Sequence, residues 1–162
     1  MAALHGQQNM IYIPRSIEQE MARHMFSSLP QEACGVVLGE AAAGGMRISR
    51  FKPIRNVAPD PLHHFVMDEV EWIRCVFQEK QLIGIFHSHP RTSPIPSARD
   101  LDNLPSFAGL LRIYLIGSPV PASSSNARML LGGYEIMKAP EKGSLSASTE
   151  SYALQPTPLS VT

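Results

Sequence analysis

Two imidazoles one residue apart, followed at once by a proline, constrain this chain more than any other feature. His87-Ser88-His89-Pro90 comes directly after Leu82-Ile83-Gly84-Ile85-Phe86, an apolar run of strand length. On a strand, side chains two apart share a face, so His87 and His89 converge while Ser88 faces away. Pro90 has no N–H to give a sheet ladder, and the strand ends there. The next segment, Arg91-Thr92-Ser93-Pro94-Ile95-Pro96, is turn-rich and stiffened by two prolines. Ser97 is a good N-cap for a short helix over 98–104. Asp100 then sits in the first helical turn, where the loop can fold it back toward the imidazoles. Two neutral imidazoles and a carboxylate make a three-ligand zinc set that leaves the fourth tetrahedral position for water, as catalytic sites require. Taken alone, a His-x-His at a strand end is equally compatible with a solvated turn, a hydrogen-bonded pair or a phosphate-contacting loop.

His87-Ser88-His89-Pro90, six residues, Ser97, two residues and Asp100 together resemble the JAMM (MPN-plus, Mov34) zinc metalloprotease motif, without insertion or deletion. The resemblance covers residues 10–138. It implies an α/β fold of the JAMM/MPN type, similar to cytidine deaminases: a mixed, largely antiparallel curved sheet flanked by helices. It also implies a catalytic glutamate on the strand after the first helix. Glu32, ahead of Ala33-Cys34-Gly35-Val36-Val37-Leu38-Gly39, stands in the matching place; by residue pattern alone it is an ordinary solvated edge residue. Its rival Glu40 follows a glycine at the strand exit. Carried over, His87, His89 and Asp100 are the ligands of one zinc ion per chain. Glu32 is the general base, and Ser97 stabilises the oxyanion. One hydroxyl does not easily both cap a helix and serve an oxyanion, so a purely capping role for Ser97 stays open.

In chain order, residues 1–9 form a polar N-terminal segment without the apolar core of a secretory signal. Residues 10–13 read as a strand, and 16–29 as a helix with Ile17, Met21, Met25 and Leu29 along one face. His24 reads as a helix-surface histidine. A hairpin turn over 41–45 leads into an alternating strand over 46–54. His63-His64-Phe65-Val66 reads as another strand, in a region that the resemblance places close to the site; its adjacent histidines face opposite ways and are poor joint ligands. Asp68 caps a second helix, with Glu71 completing a capping-box-like pattern. Val70, Ile73, Val76 and Phe77 are expected inward there, with Trp72 at the margin. Strands are expected over 110–116, 129–131 and 134–137, with a loop over 119–126 and Gly132-Gly133 as a bend or bulge. Residues 139–162 are a Pro/Ser/Thr-rich tail that either returns as a strand around 152–154 or is flexible.

Zero formal net charge and the absence of a basic block give nucleic acid or anionic membrane no electrostatic handle. No apolar run approaches the roughly 20 residues of a membrane span. A soluble cytoplasmic protein is the default expectation. Cys34 and Cys75 lack Cys-x-x-Cys spacing and read as small buried hydrophobes. Cys34 shares a face with Glu32, which makes a nucleophilic thiol the competing mechanism. The compact length and the Glu-x-Cys-Gly-Val-Val-Leu-Gly run resemble the short prokaryotic branch of the family, including peptidases that remove cysteine from a sulfur-carrier protein. The implied reaction is zinc-dependent hydrolysis of a peptide or isopeptide bond at the C-terminal tail of a ubiquitin-like or sulfur-carrier protein. A non-catalytic scaffold of the same fold, or a zinc amidohydrolase of a small molecule, are the alternatives.

Overall fold

The computed structural model describes residues 9–120, 127–139 and 151–162. Residues 1–8 of the N-terminal segment, most of the loop read over 119–126, and 140–150 of the tail lie outside the described residues. The elements run β1 (Met10–Ile13), α1 (Arg15–Ser28), β2 (Cys34–Ala42), β3 (Gly45–Ile54), α2 (Glu69–Gln78), β4 (Leu82–Ser88), α3 (Ala98–Asn103), α4 (Pro105–Ala108), β5 (Ile113–Pro119), β6 (Met129–Lys138), β7 (Tyr152–Pro156) and β8 (Leu159–Val161). One sheet takes all the strands in the order β7-β6-β5-β4-β2-β3-β1-β8. Four of its seven pairings are antiparallel; β1 with β3, β1 with β8, and β4 with β5 are parallel. The expected α/β class and mixed, largely antiparallel sheet are therefore observed.

Strand alternation divides the interior in two. Val37, Phe86, Ile113 and Leu115 face α1, where Ile17, Met21 and Met25 are buried on them. Val36, Leu38, Ile85, Tyr114 and Ile116 face the other way, toward Cys75 of α2 and Leu104 and Ala108 around α4. By the same parity His87 and Cys34 lie on the α2 side. Leu29, expected on the buried face of α1, lies beyond its last turn and is 39% exposed.

Several expectations need correction. On α2 the inward residues are Cys75 and Trp72, whereas Val70, Ile73 and Phe77 are 65%, 45% and 84% exposed. The short helix carries two apolar stripes, and docking through Trp72, which meets Phe107 edge-on at 5.6 Å, selects the second. Residues 63–66 form no strand; only Met67 pairs, bridging Asn56. β5 begins three residues later than expected, leaving Leu110 57% exposed. β6 is one strand in continuous register with β5, so Gly132-Gly133 is neither bend nor bulge. Those glycines instead admit close neighbours: a Cβ would lie 2.5 Å from the Pro94 carbonyl at Gly132 and 2.4 Å from Leu159 at Gly133.

The C-terminal stretch returns as two strands. β7 pairs with β6 at one edge of the sheet and β8 with β1 at the other, with only Thr157-Pro158 between them. The Thr157 N–H donates to Gly133 O at 2.9 Å, and the Ile11 N–H to Pro158 O at 3.0 Å, which ties the curled ends together. No helix among the described residues is long and apolar enough to cross a membrane.

Candidate metal centre

β4 delivers His87 and leads straight into His89, and the loop after it brings α3 back over the same point. Nε2 of His87 and Nε2 of His89 lie 3.1 Å apart. Asp100 places Oδ1 3.2 Å from the first and Oδ2 3.0 Å from the second. Glu32, just before β2, puts Oε1 4.0 Å from His87 Nε2. All four residues are buried. Glu32, His87 and His89 also offer ligand atoms within 4.8 Å of one another. Ser88 does turn away: its hydroxyl accepts from the Ala33 N–H at 2.8 Å, and its own N–H donates to Ala33 O at 3.0 Å. That pair of bonds fixes the residue after Glu32 to the histidine strand.

The donor chemistry calls for a positive charge. His89 Nδ1 lies 2.9 Å from the Ser93 carbonyl, which can only accept, so Nδ1 carries the proton. A neutral ring then turns the Nε2 lone pair on the Asp100 carboxylate, a clash relieved either by a cation held between them or by a second proton on His89, whose pKa, against the pull of burial, is raised by Asp100 and the Ser93 carbonyl. Ligands at zinc distance form a tetrahedron with edges of about 3.3 Å; the measured 3.0, 3.1 and 3.2 Å separations fit such a cage.

Burial penalises charge on Asp100, yet hydrogen bonds from His87, His89 and the Ser97 N–H outweigh it and hold its carboxyl well below the usual range. Burial pushes the His87 pKa down, keeping that ring neutral, as a ligand must be. Glu32 goes the other way: burial pushes its pKa up to about 7, His89 opposing and Asp100 assisting. Two carboxylates in one site thus lean toward opposite protonation states, the arrangement that separates a ligand or ion from an acid–base group. Cys34 is poorly suited to nucleophilic attack, because burial pushes its thiol up to about 12 and its Sγ lies 3.4 Å from the Ile54 carbonyl.

Ser97 caps α3: its hydroxyl accepts from the Asp100 N–H at 3.1 Å while its N–H donates to Asp100 Oδ2 at 2.9 Å. The cap uses an oxygen lone pair and leaves the O–H proton available, so capping and oxyanion donation do not compete as the sequence suggested. His63 is exposed beside Asp60, and His64 lies outside the four-residue cluster. His24 is half-buried rather than a surface residue, with Nε2 2.9 Å from Cys34 O. Two contributors escaped the sequence reading. Phe65 stacks on the His87 ring at 4.5 Å, and Tyr114 meets that ring edge-on at 5.4 Å. Only Phe65 had any signal, its place in a segment expected near the site.

Residues 14–130 match the family described as prokaryotic homologs of the JAB domain. This chain belongs to that family. The JAB match takes in every residue of the cluster. A probable TtuB-protein conjugate cleaving protease of Thermus thermophilus is 29% identical over 96 residues, covering 57% of this chain and 62% of that protein. A desampylase of Haloferax volcanii is 33% identical over 94 residues, covering 56% of this chain and 64% of its own length. The alignments thus span less than two thirds of either relative. A protein of Desulfitobacterium hafniense, solved in solution, has a similar fold: TM-score 0.66 at 23% identity, over 94% of this chain and 93% of that one.

Proposed function

We propose that this JAB-family chain is a cytoplasmic zinc-dependent hydrolase that cuts a peptide or isopeptide bond at the C-terminal tail of a ubiquitin-like or sulfur-carrier protein. The observation that carries the reading is the convergence of His87, His89 and Asp100 at 3.0–3.2 Å, with a buried glutamate beside them whose pKa burial raises to about 7. His87, His89 and Asp100 would hold the zinc, two neutral imidazoles and a carboxylate being a donor set zinc favours. Asp100 is preferred over Glu32 as third ligand because its oxygens lie 3.2 and 3.0 Å from the two Nε2 atoms, whereas Glu32 stands 4.0 Å from His87 Nε2 and within 4.8 Å of a His89 ring nitrogen. When bound, zinc supplies a Lewis acid and lowers the pKa of a water molecule to about 7.

The side chains around it do the rest. Glu32 takes the proton of the attacking water and returns it to the leaving amine, help worth roughly 10²–10⁴-fold. The Ser97 O–H donates to the oxygen on which charge develops; loss of one such donor costs about 10²–10³ in turnover. Phe65 and Tyr114 wall off His87 and fix its plane. The names of the Thermus and Haloferax relatives support a protein conjugate as substrate class.

The deciding experiment pairs metal analysis with cleavage of a ubiquitin-like or sulfur-carrier conjugate, with and without chelator. One zinc per chain and chelator-sensitive release of the tail are expected. Protein that takes up no zinc when offered it would overturn the site. Zinc uptake without cleavage of any such conjugate would overturn the substrate class.

A further inference from the structure

Glu32 is not held by the sheet that it introduces. Its N–H donates to Pro61 O at 2.8 Å, and its carbonyl accepts from Asn56 Nδ2 at 3.0 Å. Both backbone groups of the residue therefore hang from the 56–61 segment. Asn56 holds more than Glu32. Nδ2 also donates to His64 O at 3.0 Å, and Oδ1 accepts from the Ala58 and Val66 N–H groups, each at 3.0 Å. An amide side chain has two donor hydrogens and two acceptor lone pairs, and Asn56 uses all four. A direct Val57 N–H to Val66 O bond of 2.8 Å closes the loop across its neck. The metal-ligand candidates share none of these bonds: His89 and Asp100 are braced by Ser93 and Ser97.

We propose that Asn56 is a positioning residue that makes the 57–66 loop and Glu32 one mechanical unit, so that the order of the loop sets the place of the base. The proposal rests on the reading of Glu32 as general base. The loop is the responsive part of the unit. Its Leu62 and Val66 side chains are exposed, while Phe65, between them and the site, lies against His87. A substrate that settles on Leu62 and Val66 orders the same backbone that carries Glu32, while the ligand cage on β4 and α3 stays as it was. Misplacing a catalytic group by about 1 Å can cost about 10²-fold in rate.

Asn56→Asp divides the unit chemically. The carboxylate still accepts from Ala58 and Val66 but has no hydrogen to give Glu32 O or His64 O. In this variant the Glu32 amide is expected to exchange hydrogen about tenfold faster or more, with Ala58 and Val66 protection nearly unchanged. Zinc content should stay at wild-type level, and kcat should fall by about 10–10²-fold with KM little altered. Asn56→Ala should release all three amides. A variant whose Glu32 amide exchanges at the wild-type rate overturns the proposal. So does a loss of turnover that disappears when corrected for folded fraction, since that is what a merely structural residue gives. If neither variant folds, exchange in the wild-type protein decides: one shared opening rate for the Glu32, Ala58 and Val66 amides supports the unit, and separate rates overturn it. A wild-type protein that binds zinc and cleaves no conjugate defeats the functional reading, while the exchange data still judge the coupling.

Discussion

The two sides of the site are built differently. The histidine side is local: His87, His89, Ser93, Ser97 and Asp100 come from one run of 14 residues and brace one another through contacts of 2.9–3.2 Å, His89 on Ser93, and Asp100 on Ser97 and both histidines. The glutamate side is assembled from a distance. Glu32 depends on Asn56 and Pro61 from one loop, and its neighbour Ala33 on Ser88 from β4. A local cage holds its shape through its own covalent spacing, which suits a group that must bind an ion. A long-range suspension can move as a body, which suits a group that must meet a proton at the right moment.

Breaking the cage should have the largest effect. His87→Ala removes a proposed ligand that is fully buried and in contact with both other candidates, and zinc content should drop from about one per chain to near zero with complete loss of turnover. Glu32→Gln tests the other side alone: zinc content stays and turnover falls by about 10²–10⁴-fold. Retained turnover in that variant would reassign the base. Ser97→Ala probes the histidine side in two ways. Turnover should fall by about 10²–10³-fold, and loss of the cap should cost about 1 kcal/mol in denaturant unfolding. Loss of stability with full turnover would leave Ser97 a cap only.

The smallest effect concerns the outer support of β2. Burial pushes the His24 pKa down, only partly offset by its bond to Cys34 O. A depressed folded value means that the unfolded chain binds more protons between that value and about 6.5. The contribution of His24 to stability is therefore complete above about pH 6.5 and is lost as pH falls through the lower folded pKa. His24→Gln should flatten the stability profile in that window relative to wild type, as read by urea unfolding at several pH values. An unchanged slope would remove His24 from the account.

What could be read in the sequence follows the same division. The strand parity of His87 and His89, the stop at Pro90, the Ser97 cap and the return of Asp100 are all consequences of neighbours in the chain. Glu32 could be singled out only because the family pattern pointed to it; its environment comes from residues 24 to 56 positions away. Asn56 had no signal, because an asparagine in a Pro- and Asp-rich loop looks like any turn former. The α2 error has a similar origin. Val70, Ile73 and Phe77 form a good apolar stripe, but Trp72 and Cys75 form another, and only the position of Phe107 chooses between them. Tyr152–Pro156 and Leu159–Val161 gain their order from partners more than a dozen residues away, which composition cannot report.

The strap formed by β7 and β8 has a consequence for handling the protein in solution. The outermost strands are only five and three residues long, and they shield β6 and β1 from lateral pairing. A single break of the chain between β7 and β8 would leave two short strands held separately. Their loss would bare the ten-residue β6, with its unsatisfied amides and carbonyls, to whatever chain comes next. Self-association after limited digestion, with the His87, His89 and Asp100 cluster still intact, is the behaviour such a strap predicts.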